Sequence, residues 1–201
     1  MKLTVVVQAG GESRRMGSNK ALLSFLSQPL IQRVIERVRP IADEILITAN
    51  HPKDFEFLKL PVYEDVLPGH GALGGLLTAL TVSSANVTAV IACDMPFVSP
   101  NLLVYQAQLL QRGNWDAVVP KSKGGYEPFH GVYRTESCRQ AVREAMERGE
   151  KKLIAWFPAV RVHIIEGESL NLFDPEGRIF WNVNTPEEFQ AAEQLAHADE
   201  E

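Results

Sequence analysis

Hydrophobic residues follow two periodicities along this chain, and these periodicities define its predicted elements. Continuous apolar runs, rich in β-branched residues, are typical of strands buried on both faces, and they occur at Leu3–Gln8, Glu44–Ala49 and 87–93. Apolar residues spaced three and four positions apart predict helices over 29–38, 73–82, 101–111, 135–148 and 186–195. Shorter apolar segments predict strands at 61–63, 116–120, 127–133 and 160–165.

The order of these elements predicts an α/β protein. Strands that alternate with helices form mostly parallel sheets with helices on both faces, so we expect a three-layer α/β/α, Rossmann-like arrangement. We also expect a single domain over residues 1–201, with a frayed tail at about 197–201. Ligands of such sheets bind beyond the carboxyl ends of the strands, so the segments after residues 8, 49 and 93 should meet at one edge.

Composition restricts the function. With 201 residues and 45% hydrophobic content the chain can bury a full core. Its net charge of −5 argues against broad nucleic-acid binding. The two cysteines, Cys93 and Cys138, lack metal-ligand spacing. No apolar run is long enough for a membrane span and no signal peptide is visible, so we expect a soluble cytoplasmic protein.

The segment after the first strand has the composition of a phosphate-binding loop. Gly10 and Gly11 allow backbone N–H groups to approach an anion, and Arg14, Arg15 and Lys20 supply positive charge. The glycine spacing matches neither a dinucleotide-binding loop nor a Walker loop. The alternative is an ordinary glycine turn with solvated basic residues.

Two aspartates are candidate ligand-binding residues. Asp94 directly follows a buried strand, where a carboxylate can hold Mg²⁺ while phosphate oxygens and water fill the remaining positions. Asp65 precedes a glycine-rich turn and can accept the two adjacent N–H donors of guanine, which cytosine and adenine lack. Each can instead be a turn or cap carboxylate.

Three asparagines are candidate contacts for a base, sugar or phosphate. Asn50 ends the second strand, where it can bind a base or ribose, although a turn before Pro52 is the simpler interpretation. Asn182 and Asn184 alternate along an extended segment and should share a face. Together these two amides can bind phosphate, pterin or sugar; the alternative is a turn leading into a helix cap. Cys93 has no identifiable base partner and is a weak candidate nucleophile.

The motifs resemble those of a known family. The pattern Ala9-Gly10-Gly11-x-Ser13-x-Arg15-Met16-Gly17-x-x-Lys20 resembles the signature loop of nucleotidyltransferases with the nucleotide-diphospho-sugar transferase fold. Within that superfamily the chain resembles the molybdenum cofactor guanylyltransferases. Further matching segments follow in the family's order: Asn50, Glu64-Asp65, the residues CDMP at 93–96 and the residues NVNTPEE at 182–188.

The resemblance implies a reaction in which GMP passes from GTP to molybdenum-bound molybdopterin and pyrophosphate leaves. It implies a nucleotide-binding N-terminal half, an acceptor-binding C-terminal half and Mg²⁺ as cofactor. The expected catalytic residues are Arg15, Lys20 and Asp94, with Asp94 holding the metal. The expected binding residues are Gln8, Ala9, Gly10, Gly11, Lys20, Asn50, Asp65, Asp94, Asn182 and Asn184.

Among these, Lys20 would contact the phosphates, and Asn50 and Asp65 would contact the guanosine. Cofactor-insertion proteins or apo-molybdoenzymes are the expected partners, besides GTP and molybdopterin as substrates. Two alternatives stay open. One is a molybdopterin cytidylyltransferase or another small-molecule nucleotidyltransferase of the same fold. The other is a non-catalytic nucleotide-binding protein that delivers the cofactor.

Overall fold

A central sheet carries the fold in the computed structural model, which describes residues 2–10, 19–67 and 69–199. The strands are β1 (Leu3–Gln8), β2 (Ser24–Phe25), β3 (Gln28–Pro29), β4 (Glu44–Ala49), β5 (Val62–Glu64), β6 (Val87–Ala92), β7 (Ala117–Ser122), β8 (Gly125–Tyr126), β9 (His130–Arg134) and β10 (Val162–Ile165). The helices are α1 (Leu30–Val38), α2 (Gly71–Val82), α3 (Pro100–Arg112), α4 (Thr135–Glu147), α5 (Glu168–Asn171) and α6 (Pro186–Ala198).

The strand order places the predicted ligand edge. The main sheet has the order β10-β7-β9-β6-β1-β4-β5, with β8 paired to β7, while β2 and β3 form a separate small hairpin. All pairings along the main order are parallel except those of β9, which is antiparallel to both β6 and β7. Because β6 and β7 both run opposite to β9, the carboxyl ends of β1, β4, β6 and β7 share one edge.

Different helices pack on the two faces of each central strand, as the continuous apolar runs predicted. Val5 and Val7 lie in the core formed with α1 and α3, whereas Val6 lies in the core formed with α2 and α4. All three valines are fully buried. Full burial of such a side chain stabilises the fold by roughly 1.5–3 kcal/mol. Alternate residues of the strand therefore stabilise the packing of helices on opposite faces of the sheet. The three-layer, mostly parallel α/β/α architecture is therefore confirmed.

Element boundaries differ from the prediction mainly in the second half. The strand expected over 127–133 begins only at His130, because residues 127–129 form a turn in which the His130 N–H donates to Glu127 O at 3.0 Å. The strand expected from residue 160 begins at Val162, and the final helix continues to Ala198. The short strands β2, β3 and β8 were not predicted. Along the described ranges, no helix is both long and apolar enough to cross a membrane.

Candidate active site

The strands β1 and β6 bring the first candidate residues together. Their pairing continues past the strand ends, because the Cys93 N–H donates to Gln8 O at 3.0 Å. A cavity of about 140 Å³ opens here, and its lining includes Gly10, Lys20 and Asp94. The phosphate-loop glycine and the lip carboxylate therefore face the same cavity, as the parallel order predicted.

Lys20 and Asp94 form an ion pair at the centre of this edge. Lys20 Nζ contacts Asp94 Oδ2 and donates a second hydrogen bond to Asn184 Oδ1 at 2.8 Å. The side chains of Lys20 and Asp94 are 16% and 14% exposed, so the pair is largely shielded from solvent. The Val183 N–H donates to Asp94 O at 3.1 Å and holds the asparagine segment beside the carboxylate.

Asp94 is suited to hold a divalent cation. Its Oδ1 is buried and has no hydrogen-bond partner in the described part of the chain. No group of three or more His, Cys, Asp or Glu side chains gathers into a metal site among residues 2–10, 19–67 and 69–199. A single carboxylate is the donor set expected for Mg²⁺ that takes its other ligands from substrate phosphates and water. The residues present therefore fit the predicted metal.

A second, small cavity lies on the β4 side of the edge. Its lining includes Gln8, Gly10, Asn50 and Asp65. Gln8 is buried, and its Nε2 donates to Gly75 O on α2. A Cβ at Gly10 would lie 3.4 Å from Asn50 Oδ1, so glycine leaves space between the backbone at residue 10 and the Asn50 side chain. The four residues predicted to contact the nucleotide on this side thus surround one cavity of about 20 Å³.

Asp65 caps the turn that follows it and keeps one carboxylate oxygen open. Its Oδ1 accepts from Thr78 Oγ1 and from the Leu67 N–H at 3.2 Å, which is the turn-capping role. Its Oδ2 accepts no hydrogen bond from the residues that the structure describes, and that oxygen is available to a ligand. The Thr78 hydroxyl holds the carboxylate against α2, so the aspartate is positioned without its second oxygen being used.

The two asparagines of the last motif are not brought to the same place. Asn184 contacts Lys20, whereas Asn182 lines a different cavity and its Nδ2 donates to Phe180 O at 3.2 Å. Thr185 caps the following helix, as the motif predicted, because its side chain accepts from the Glu188 N–H at 3.2 Å. Cap formation therefore explains Thr185 but not Asn184, whose side-chain oxygen bonds Lys20.

Several predicted residues have no geometry to compare. Gly11, Arg14 and Arg15 lie outside the described residues. Sequence reasoning also missed Phe129, which lines the cavity shared by Lys20 and Asp94. The signal that could have found it is its position just before β9, whose amino end lies at the ligand edge because the strand is antiparallel to β6.

Cys93 is not suited to nucleophilic catalysis. Burial, together with the neighbouring Asp94 carboxylate, raises the pKa of its thiol to about 12. The thiolate is the nucleophilic form, so this residue is unreactive at neutral pH. Cys93 is therefore not a nucleophile of this site.

The sequence is similar to curated proteins over most of its length. A "Probable molybdenum cofactor guanylyltransferase" from Carboxydothermus hydrogenoformans is 37% identical over 188 residues, which is 94% of this chain and 93% of the relative. A "Molybdenum cofactor guanylyltransferase" from Desulfosudis oleivorans is 31% identical, covering 95% of this chain and 94% of the relative.

Solved structures show the same fold. Molybdopterin-guanine dinucleotide biosynthesis protein A from Archaeoglobus fulgidus superimposes with a TM-score of 0.82 at 27% identity, covering 97% of this chain and 99% of that one. A 2-C-methyl-D-erythritol 4-phosphate cytidylyltransferase from Thermus thermophilus, at 19% identity and a TM-score of 0.69, shares the fold alone, over 96% of this chain and 98% of its own. Residues 5–162 match the MobA-like NTP transferase domain, and the chain therefore belongs to that family of nucleotidyltransferases.

Proposed function

We propose that this enzyme transfers GMP from GTP to molybdenum-bound molybdopterin and releases pyrophosphate. The observation that carries the proposal is the Lys20–Asp94 pair at the shared edge of β1 and β6, with Asp94 Oδ1 buried and unused. The names of the relatives in Carboxydothermus and Desulfosudis supply the nucleotide and the acceptor. In this proposal the N-terminal half binds the nucleotide and the C-terminal half binds the acceptor.

The proposed chemistry is an in-line displacement. An oxygen of the acceptor's terminal phosphate attacks the α-phosphorus of GTP, a new P–O–P bond forms, and the bond to the β-phosphate breaks as pyrophosphate leaves. The protein supplies positioning and charge stabilisation. Lys20, the Gly10 N–H and, by resemblance, Gly11 and Arg15 neutralise the charge on the departing pyrophosphate.

Asp94 would hold Mg²⁺, which when bound neutralises negative charge around the α-phosphate. The Lys20 ammonium donates to Asp94 Oδ2 in the structure. On substrate binding we infer that Lys20 releases this oxygen and takes up a phosphate oxygen, since Lys20 and Asp94 both line the cavity in which the phosphate would bind. Asn184, which contacts Lys20, would then hold the lysine near the transferring group.

Base recognition is assigned to the cavity on the β4 side. The unused Asp65 Oδ2 can accept from guanine N1–H or its exocyclic amine, and Gln8 and Asn50 lie beside it. Cytosine does not present this pair of adjacent donors. Handover of the product to cofactor-insertion proteins or apo-molybdoenzymes, and a cytoplasmic location, stay predictions.

The test is pyrophosphate release with each of the four NTPs, with and without molybdopterin. We expect release only with GTP and molybdopterin together, and loss of the GTP preference in Asp65→Ala. The neighbouring exposed Glu64 gives a matched control, because Glu64→Ala removes a carboxylate one residue away and should keep the preference. Preference for CTP would identify the cytidylyl alternative, and GTP binding without pyrophosphate release would identify the non-catalytic one.

A further inference from the structure

A larger cavity adjoins the site on the side away from the nucleotide. It has a volume of about 640 Å³, in the range of small-molecule sites, and lies between the β7–β8 hairpin and the segment 170–182. Nothing in the proposed transfer of GMP uses the hairpin. The cavity nevertheless opens at the ligand edge, because β7 ends there together with β1 and β6.

Glu127 in this cavity is a half-buried carboxylate that none of the described lysines and arginines pairs with. Its Oε1 accepts from Ser122 Oγ at 2.6 Å, and its backbone N–H donates to Pro120 O at 2.9 Å. The other carboxylate oxygen accepts no hydrogen bond, and no lysine or arginine pairs with the side chain, in the part of the chain that is described. The nearby Lys121 pairs with Glu166 instead.

Because Glu127 is partly buried, leaving its second carboxylate oxygen without a hydrogen bond costs free energy. Burial raises the pKa of Glu127 above its usual value, and the Ser122 hydrogen bond offsets only part of that effect. A partly desolvated carboxylate is normally satisfied by a cation or by several N–H donors. Since the described residues provide neither for the second oxygen, a ligand with adjacent N–H groups is the complementary partner.

Aromatic side chains give the cavity flat walls. Tyr126, Phe180 and Trp181 all contribute to its lining, and Trp181 is held by stacking on Phe97 at a ring-centroid distance of 6.0 Å. Such walls suit a planar heteroaromatic ring system. The cavity therefore combines a surface for a flat ring with one carboxylate that can accept from the edge of that ring.

Two short segments connect this cavity to the reaction centre. Asn182 lines the large cavity while Asn184 contacts Lys20, and two residues of chain span at most about 7 Å. Glu127 lines the large cavity while Phe129, two residues later, lines the cavity of Lys20 and Asp94. A ligand with its ring in the large cavity can therefore place a short phosphate arm at Lys20.

We propose that this cavity binds the pterin ring of the acceptor and that the Glu127 carboxylate accepts hydrogen bonds from the pterin 2-amino group and ring N3–H. The assignment rests on the proposed function. Guanine and pterin present the same pair of adjacent donors, and the chain places a half-buried carboxylate on each side of Lys20. Asp65 follows β5 and Glu127 precedes β9, so the two rings would lie on opposite sides of the transferred phosphate.

The test compares Glu127→Gln with Glu166→Gln. The first change keeps the shape and an acceptor for Ser122 but replaces half of the carboxylate by a donor. We expect the KM for molybdopterin to rise roughly ten- to a hundredfold, as for loss of hydrogen bonds to a charged group, with the KM for GTP unchanged. Glu166 forms an exposed ion pair outside the cavity lining, so Glu166→Gln should leave both constants unchanged.

Binding measured without turnover separates the two proposals. Trp181 lines the cavity, so titration with molybdopterin alone should change its fluorescence in wild-type protein, and Trp181→Phe identifies that signal. Binding weakened at least tenfold in Glu127→Gln supports the pterin assignment. Equal binding by the two proteins, no binding by wild type, or a rise in the GTP KM instead would overturn it. Wild-type binding without guanylyl transfer would contradict only the proposed function.

Discussion

Lys20→Met tests whether the Lys20–Asp94 pair is structural, catalytic or both. The change removes the ammonium from a carboxylate that is 14% exposed and whose Oδ1 already lacks a partner among the described residues. Removing one partner of a fully buried ion pair costs roughly 3–5 kcal/mol. Because this pair retains some solvent access, we expect a loss of about 2 kcal/mol in the free energy of unfolding.

The partner change and the double variant complete a thermodynamic cycle. Asp94→Asn should cost less than Lys20→Met, because Lys20 keeps its bond to Asn184 and 16% of its side chain is exposed. The double variant buries no unpaired charge, so its stability loss should be smaller than the sum of the single losses by about 1–2 kcal/mol. Guanylyl transfer should behave differently and should fall by about 10²–10³ in each single variant, with no recovery in the double variant.

Urea unfolding followed by fluorescence gives the stabilities, and pyrophosphate release gives the rates. The exposed Lys121–Glu166 pair, with side chains 43% and 57% accessible, is the matched control, and its coupling energy should be below about 1 kcal/mol. Additive stability losses at Lys20 and Asp94 would refute the shielded ion pair. Activity that recovers together with stability would refute the catalytic role.

Two further predictions concern the residues around the site. Burial lowers the pKa of His130 to about 4 from an ordinary 6.5, and its Nε2 accepts from the Ser99 N–H, so the folded chain resists the proton that the unfolded chain binds. The free energy of unfolding should therefore be at its full value above pH 6.5 and fall as the pH drops towards 4, with a loss of about 2 kcal/mol at pH 5. Urea unfolding at several pH values measures this loss. An equal pH dependence in wild type and in His130→Asn would contradict the prediction. In Gly75→Ala the new Cβ would lie 2.5 Å from Gln8 Oε1 and would break the hydrogen bond from the buried Gln8 amide to Gly75 O. The free energy of unfolding should therefore fall by about 1–2 kcal/mol. Most of this loss should disappear when the same change is made in a Gln8→Ala variant. Equal losses in both backgrounds would show that the clash lies elsewhere.

The first half of the sheet was predictable because its strands are specified locally. Leu3–Gln8 and Glu44–Ala49 have the same bounds in the prediction and in the structure. Each is a short apolar run bounded by polar or turn residues, and each is buried almost throughout. When a strand is covered by helices on both sides, burial alone defines its ends, so no information about its neighbours is needed.

The rule for parallel strands predicted one part of the candidate site. It placed Asp94 after β6 and the glycine segment after β1 at one edge, whereas the resemblance supplied Gln8 and the catalytic role of Lys20. The bond between Lys20 and Asn184 joins residues 164 positions apart, and no local pattern reports such a contact. The motif around Asn184 indicated a ligand-binding segment. The different positions of the Asn182 and Asn184 side chains, however, follow from tertiary packing.

The antiparallel strand β9 explains why the sequence did not predict Phe129 and Glu127 at the ligand edge. The rule that ligands bind at carboxyl ends applies to parallel strands, whereas β9 presents its amino end at the same edge. The residues before it therefore reach this edge, where Phe129 lines the cavity of Lys20 and Asp94 and Glu127 lines the larger cavity. A parallel strand at this position would have brought its other end to the edge. In the proposed function, the reversal of this one strand separates a nucleotide side at β1 and β4 from an acceptor side at β7.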